Sequence, residues 1–321
     1  ILYWYDNNKR SLPWRNRCSK RQKDYFTFVS EFMLQQTQVK TVIPYFNNFL
    51  KHIPNFKSLS KVNEIKLFKY WQGLGYYSRA KNLKKSAKIV VNNYNGRLPN
   101  NFEELKKLPG VGDYTASAIS AIAFNKSIIP LDGNIERLLK RILYLKTEEE
   151  IKKENLHKKK KIFGQTSRAS DYVQGLMEIG ALICKPKNPY CEKCPITRNC
   201  ISYKKKDFEI KKKNKKVIEK FYLATLYKNE NQLLLVKNDK FKFLKNLLIF
   251  PMKEISKSDS LSKIRKKLNV KMSNMNMNIS INFSKIKNKP KNGLWIEKTK
   301  LKNYMIPTFT KKIFASIEHN L

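Results

Sequence analysis

Acidic residues are scarce in this 321-residue chain. Its 25 Asp and Glu stand against 67 Lys and Arg, a formal net charge of +42. That shortage favours a polyanionic partner, with nucleic acid the leading class. Lys, Asn and Ile are abundant even where no ligand contact is expected. Part of the excess therefore reads as a biased coding composition, and charge alone ranks partners weakly. Long apolar runs are also missing: none reaches the roughly 18 residues a membrane span needs. The first residues, with Asp6, Lys9 and Arg10, offer no signal-peptide core. These two absences lead one to expect a soluble cytoplasmic protein with no membrane partner.

The length suffices for a sizeable core and two domains. Residues 1–203 read mostly as helices, at 41–50, 65–71, 80–94, 101–108 and 171–183, the last with Tyr172, Leu176, Ile179 and Ile183 on one stripe. A helix carrying Arg137 and Arg141 is expected to run on to Thr147. Residues 204–220 hold nine lysines, three acids and few apolar side chains, the composition of a basic linker. Residues 221–321 form a smaller α+β domain. Strands are expected at 221–227, 232–236, 247–251, 280–286 and 294–296, with a short helix at 260–268 and a last one from Lys311.

The pattern that organises the chain is Leu108-Pro109-Gly110-Val111-Gly112-Asp113. Gly110 and Gly112 supply the positive backbone angles of a tight reversal between two helices. Asp113 is expected to cap the second helix, whose first amides would form a phosphate seat. Just beyond that helix, Asp132 leaves one carboxylate in a short loop, followed by Asn134.

A second carboxylate belongs to an earlier helix. Asp24 is expected to cap it, and Tyr25, Phe28, Val29, Phe32 and Met33 recur at helical spacing. Glu31 lies beside that aromatic face, where poor solvation raises its pKa toward the range of a general acid. Gln35, Gln36 and Gln38 follow, amides suited to base edges and to the gap left by an extruded base. In Gln72-Gly73-Leu74-Gly75-Tyr76-Tyr77-Ser78-Arg79-Ala80 two glycines break the helical pattern, and Tyr76 is the candidate wedge for a base stack. Near the N-terminus, Arg15 follows Pro13-Trp14 and could reach a phosphate or a base edge, while Trp14 reads as core. Cys18 stands alone and reads as a free thiol.

The other four cysteines, Cys184, Cys191, Cys194 and Cys200, are spaced C-x6-C-x2-C-x5-C. Clustered intracellular thiols are more often metal ligands than disulfides. Zinc and an iron–sulfur cluster both satisfy that count. Lys185, Lys187, Lys193 and Arg198 stud the same loop, placed to meet DNA phosphates.

Taken together, the Gly/Pro hairpin with its following Asp132, the string Ser30-Glu31-Phe32-Met33-Leu34-Gln35-Gln36-Thr37-Gln38-Val39, the segment GLGYYSRA and the cysteine spacing resemble the helix-hairpin-helix DNA glycosylase superfamily. Within it they resemble the adenine glycosylases of the MutY type. The resemblance is strong from Leu2 to Cys200 and loose beyond. It implies a mostly α helix-hairpin-helix glycosylase domain with a loop at 184–200 holding one [4Fe-4S] cluster, then a Nudix-like α+β domain. It also implies a monomeric, nucleoid-associated enzyme of bacterial type that removes adenine opposite 8-oxoguanine or guanine from duplex DNA.

The same resemblance assigns roles to single residues. Glu31 would protonate the adenine, Asp132 would stabilise the sugar cation, and Tyr114 and Asn134 would orient Asp132. Gly110 and Gly112 would seat a phosphate, Gln36 would contact the flipped base, and Arg15, Gln35 and Tyr76 would meet DNA. Where bifunctional relatives carry a lysine nucleophile this chain has Tyr114, so base removal without strand cutting is expected. In the second domain no glutamate-rich Nudix box occurs. Phe283-Ser284-Lys285 falls where the family often shows Phe-Ser-His, which makes Phe283 and Ser284 the candidate lesion readers. Glu178 matches a family position without an assigned role. The competing readings are a thymine-mismatch glycosylase, an endonuclease III-like lyase and a non-catalytic iron–sulfur DNA-binding module.

Overall fold

The computed structural model describes every residue except 17–18, 211–216, 242–243, 245–246, 261–265, 273, 286–292, 305 and 318–321. The reading of Cys18 thus lies outside the described residues. The chain divides into two compact units, Ile1–Lys212 and Lys213–Leu321.

The first unit is helical: α1 (Leu2–Asn8), α2 (Lys20–Leu34), α3 (Val39–His52), α4 (Phe56–Lys61), α5 (Glu64–Trp71), α6 (Tyr77–Asn93), α7 (Phe102–Lys107), α8 (Asp113–Ile122), α9 (Gly133–Ile142), α10 (Lys153–Lys159), α11 (Ala169–Glu178) and α12 (Ile201–Lys204). A π-helical turn, Ile179–Ile183, prolongs α11. Helix α2 is the central one. Its stripe of Tyr25, Phe28, Val29, Phe32 and Met33 is buried; Tyr25 meets Phe56 of α4 edge-on at 5.0 Å, and within α2 Phe28 lies tilted against Phe32 at 4.8 Å.

Two expected caps fall elsewhere. Helix α2 starts a turn earlier than the sequence reading, on a capping box between Ser19 and Gln22. Asp24 is instead buried in the helix body and paired with Arg97 at 2.8 Å. Helix α8 has Gly112 as its cap and makes no side-chain cap bond. Asp113 is its first residue, salt-bridged to Lys106 at 3.0 Å and Lys153 at 3.6 Å. Helix α9 stops at Ile142 rather than Thr147, because Tyr144 takes a left-handed backbone (φ 55°) that ends the ladder. Within the charged stretch 148–161 the structure forms α10.

Among the described residues the second unit holds a seven-stranded sheet: β1 (Ile218–Asn229), β2 (Gln232–Lys237), β3 (Leu248–Ile249), β4 (Met252–Ile255), β5 (Lys266–Met272), β6 (Met275–Ser284) and β7 (Gly293–Glu297), in the order β3-β2-β1-β6-β5 with β4 also on β1 and β7 on β2. The β1–β6 pair is parallel, running from Ile218↔Met275 to Tyr227↔Ser284. Helix α13 (Thr308–Ile317) buries Phe309, Ile313, Phe314 and Ile317 in the unit's core, with Phe314 against Phe250 at 4.7 Å.

The helix expected over 260–268 is overturned at its described end. Residues from Lys266 pair antiparallel with the next strand, β6, through Leu268↔Ile279 and Val270↔Met277, and that cross-strand pairing outweighs the helical spacing of the segment. Strand β6 starts at Met275, earlier than expected, and the end expected at Ile286 lies outside the described residues. Among the described residues no helix is long and apolar enough to cross a membrane.

Candidate active site

Buried Glu31 and half-buried Asp132, from different helices, line one cavity of about 1060 Å³. Glu31 comes from the last turns of α2 and is 5% exposed. Burial raises its carboxyl from 4.5 to about 7. A hydrogen bond donated by the Tyr114 hydroxyl to Glu31 Oε2 at 3.1 Å works against the rise, the charge of Asp132 adds to it, and Arg15 opposes it. Tyr114, one residue into α8, was expected to orient Asp132, but its hydroxyl goes to Glu31.

Asp132 caps α9. Its Oδ1 accepts from the backbone N–H of Asn134 (3.0 Å) and Ile135 (2.7 Å), and its Oδ2 from Asn134 Nδ2 (2.9 Å). These bonds hold the ionised form and partly offset a rise caused first by burial. Asn134 is fixed in turn by Arg137, whose Nη2 donates to Asn134 Oδ1 (2.9 Å) and to the Gly180 carbonyl (2.6 Å) and whose Nε donates to the Cys184 carbonyl (2.7 Å). A Cβ at Gly180 would stand 2.6 Å from Asn134 Cβ, so only glycine lets the π-helical turn seat against α9.

The hairpin lies on the same cavity. Gly110 has φ +83°, and a Cβ there would meet Phe32 and Asn82 at under 3.0 Å. Gly112, expected to need a positive angle as well, is extended at φ −96°. Gln35 Nε2 donates at 3.4 Å to the Gly110 carbonyl and to Thr115 Oγ1, joining the glutamine turn to the hairpin. Gln36 is exposed, lines the cavity and holds a left-handed backbone, φ 58°. Tyr76 is likewise left-handed, φ 47°, and 47% exposed at the start of α6, whereas Tyr77 packs edge-on against Phe68.

Arg15 is turned inward. Its Nη2 pairs with Glu178 Oε1 at 3.0 Å, while Arg10 holds both oxygens of Glu178 at 2.7 and 2.9 Å. Glu178 is fully buried, and all three side chains line the cavity. Sequence reading left Glu178 without a role and missed Arg10, 168 residues away. The available signal was a carboxylate inside the stripe from Tyr172 to Ile179, which demands buried cations. Trp14, read as core, stacks edge-on with Phe46 at 5.3 Å and also lines the cavity.

The cysteines lie apart from this cavity. Cys184, Cys191, Cys194 and Cys200 are free thiols that border one small apolar cavity with Leu138, Ile142, Ile183 and Ile196. Arg141, 2% exposed, donates to Cys184 Sγ at 3.2 Å and to the Lys185 and Pro186 carbonyls. Among the described residues no three His, Cys, Asp or Glu side chains converge closely enough to hold one metal ion. Phe283 and Ser284 belong to the second unit. Phe283 packs half-buried against its core, and Ser284 is exposed at the end of β6, its hydroxyl donating to the Lys285 carbonyl at 3.3 Å.

Residues 29–161 match the family of HhH-GPD superfamily base excision DNA repair proteins. The chain is 40% identical over 258 residues to the adenine DNA glycosylase of Buchnera aphidicola subsp. Schizaphis graminum, covering 78% of this chain and 73% of that relative. Among solved structures, a thermostable thymine-DNA glycosylase aligns with TM-score 0.56 at 29% identity, over 64% of this chain and 93% of its own. A non-covalent endonuclease III–DNA complex shares the fold at TM-score 0.52 and 22% identity, over 64% and 95%.

Proposed function

The chain belongs to the adenine DNA glycosylase family of the HhH-GPD superfamily, and from that membership we propose its substrate and the work of each residue in its cavity. It is an adenine DNA glycosylase of base excision repair, with a helical HhH-GPD glycosylase unit followed by an α+β unit. Its substrate is duplex DNA with adenine opposite 8-oxoguanine or guanine. The observation that carries the mechanism is the pair of carboxyls in one cavity with different environments. Glu31, held near 7, keeps a proton to give. Asp132, held by three N–H donors, stays available as an anion.

The flipped adenine enters between the hairpin and the glutamine turn. Glu31 protonates N7, which makes the base a better leaving group, and Tyr114 fixes that carboxyl. As the glycosidic bond breaks, the deoxyribose gains oxocarbenium character, and Asp132 stabilises it before water attacks. Asn134 fixes Asp132. Glu178, fully buried, accepts from Arg10 and Arg15 and so fixes both guanidinium groups at the cavity wall, where they can donate to DNA. Tyr114 offers no amine, so the backbone is left uncut.

The four cysteines fit one [4Fe-4S] cluster. They are unpaired and border one apolar cavity, four thiolates are the ligand set of such a cluster, and the C-x6-C-x2-C-x5-C spacing favours it over a single zinc ion. Cys184, Cys191, Cys194 and Cys200 would hold it, and the cross-linked 184–200 loop would then present Lys185, Lys187, Lys193 and Arg198 to DNA phosphates. The test of the function is incubation with duplexes carrying A opposite 8-oxoguanine, A opposite G, T opposite G or an oxidised pyrimidine, with and without alkali. Alkali-dependent breakage at adenine is expected. Breakage without alkali, or only at thymine or the oxidised pyrimidine, overturns the reading.

A further inference from the structure

We propose that Arg79 is a positioning residue that locks the glutamine turn and the Tyr76 turn at one fixed spacing, so that extrusion of the base depends on it more than bond cleavage does. The proposal rests on the reading of this cavity as a base-excision site. The two turns are about 40 residues apart in sequence and share no strand or helix. One guanidinium joins them. Arg79 Nη1 donates to the carbonyls of Phe32 (3.0 Å), Met33 (2.9 Å) and Gln35 (2.5 Å), the C-terminal end of α2. Its Nη2 donates to the carbonyls of Leu74 (2.8 Å) and Gly75 (3.2 Å) and to Thr37 Oγ1 (3.3 Å).

Arg79 is 7% exposed, and among the described residues no carboxylate pairs with it. A buried cation without a counter-ion is costly, and an apolar side chain would fill the same space with less penalty. The charge is spent on carbonyls of the two turns whose next residues, Gln36 (φ 58°) and Tyr76 (φ 47°), hold left-handed backbones. Such backbones at residues other than glycine persist only when their surroundings over-determine them. The planar fork of an arginine fixes its two terminal nitrogens relative to each other, which a lysine ammonium cannot do. The Tyr76 ring lies 5.5 Å from the guanidinium, and Trp71 Nε1 braces the same turn through the Gly75 carbonyl at 3.1 Å.

The test compares the full chain with Arg79→Lys and with the milder Thr37→Val, which removes one bond of the clamp. Single-turnover excision is measured on adenine paired with 8-oxoguanine and on adenine opposite an abasic analogue, where no pair must be opened. Arg79→Lys should slow the first by about ten-fold or more and the second by less than about three-fold, with Thr37→Val in the same direction and smaller. Stopped-flow fluorescence of a duplex with 2-aminopurine at the target position reads extrusion without any excision, and its rise should shrink in both variants. Equal losses on the two substrates with an unchanged fluorescence rise would overturn the role of Arg79. Absence of excision by the unaltered chain, with the fluorescence difference present, would instead overturn the assigned chemistry.

Discussion

Burial lifts the Glu31 carboxyl to about 7, so its acid form is lost as pH rises through that value, and excision should fall with it. The Tyr114 hydrogen bond pulls the other way. Tyr114→Phe should therefore move the falling limb of the single-turnover pH profile upward; a limb that stays in place removes Tyr114 from this role. The same shift bears on stability. A folded-state value above the ordinary 4.5 contributes stability below the unfolded value and loses it as pH rises through about 7. Glu31→Gln cannot give a proton and should cost at least about 10²- to 10⁴-fold in excision, and Asp132→Asn should also abolish turnover, both with duplex binding retained. Wild-type rates in either variant sink the mechanism. Glu31 could be read from the sequence because an acid beside an aromatic helical stripe is a local anomaly. The partners of buried Glu178 could not, because Arg10 and Arg15 reach it only when the N-terminal segment packs on α11.

Helix ends, more than helix bodies, decide where these side chains point. Apolar periodicity exposed α2, α6 and α11, but not their starts, because caps are chosen by one or two polar residues among several candidates. At the start of α8, Asp113 is 45% exposed, its carboxyl held below the usual range by Lys106 and Lys153. It places an anion in the first turn of the helix expected to meet a phosphate. Asp113→Asn should free both lysines, tighten duplex binding several-fold and steepen its salt dependence, measured as Kd against salt; unchanged affinity would place the phosphate elsewhere. At the other end of the site, Gly180→Ala puts a methyl 2.6 Å from Asn134 Cβ. That overpacking should cost about 1–3 kcal/mol and displace Asp132, so excision should fall by about ten-fold or more while Glu31 keeps its pH profile. An active, equally stable variant would show that the π-helical turn does not position α9.

Charge and sheet pairing belong to the molecule as a whole. The +42 net charge predicts strong salt dependence of DNA binding but says little of where DNA lies. Strand β5 escaped sequence reading because its order comes from pairing with β6 rather than from the spacing of its own residues. The cysteine reading makes a simple expectation at this scale: purified protein should be brown and contain iron, and Cys194→Ser should weaken DNA binding. Colourless protein with one zinc per chain reverses it.

The second unit carries the remaining test. The Ser284 hydroxyl spends its proton on the Lys285 carbonyl at 3.3 Å, which leaves its oxygen to accept from a donor. 8-Oxoguanine has an N7–H where guanine has only an acceptor, so an exposed Ser284 at the end of β6 suits the lesion better than the normal base. Phe283, partly buried in the core of this unit, anchors the strand end that presents it. One good base-edge contact discriminates by about 1–3 kcal/mol. Ser284→Ala should therefore narrow the preference for A opposite 8-oxoguanine over A opposite G without abolishing excision. Lys285→Ala, which removes only an exposed cation, should weaken both substrates alike and flatten their salt dependence. Excision measured on the two duplexes at several salt concentrations separates the effects, and a ratio unchanged by Ser284→Ala would take lesion recognition away from this strand.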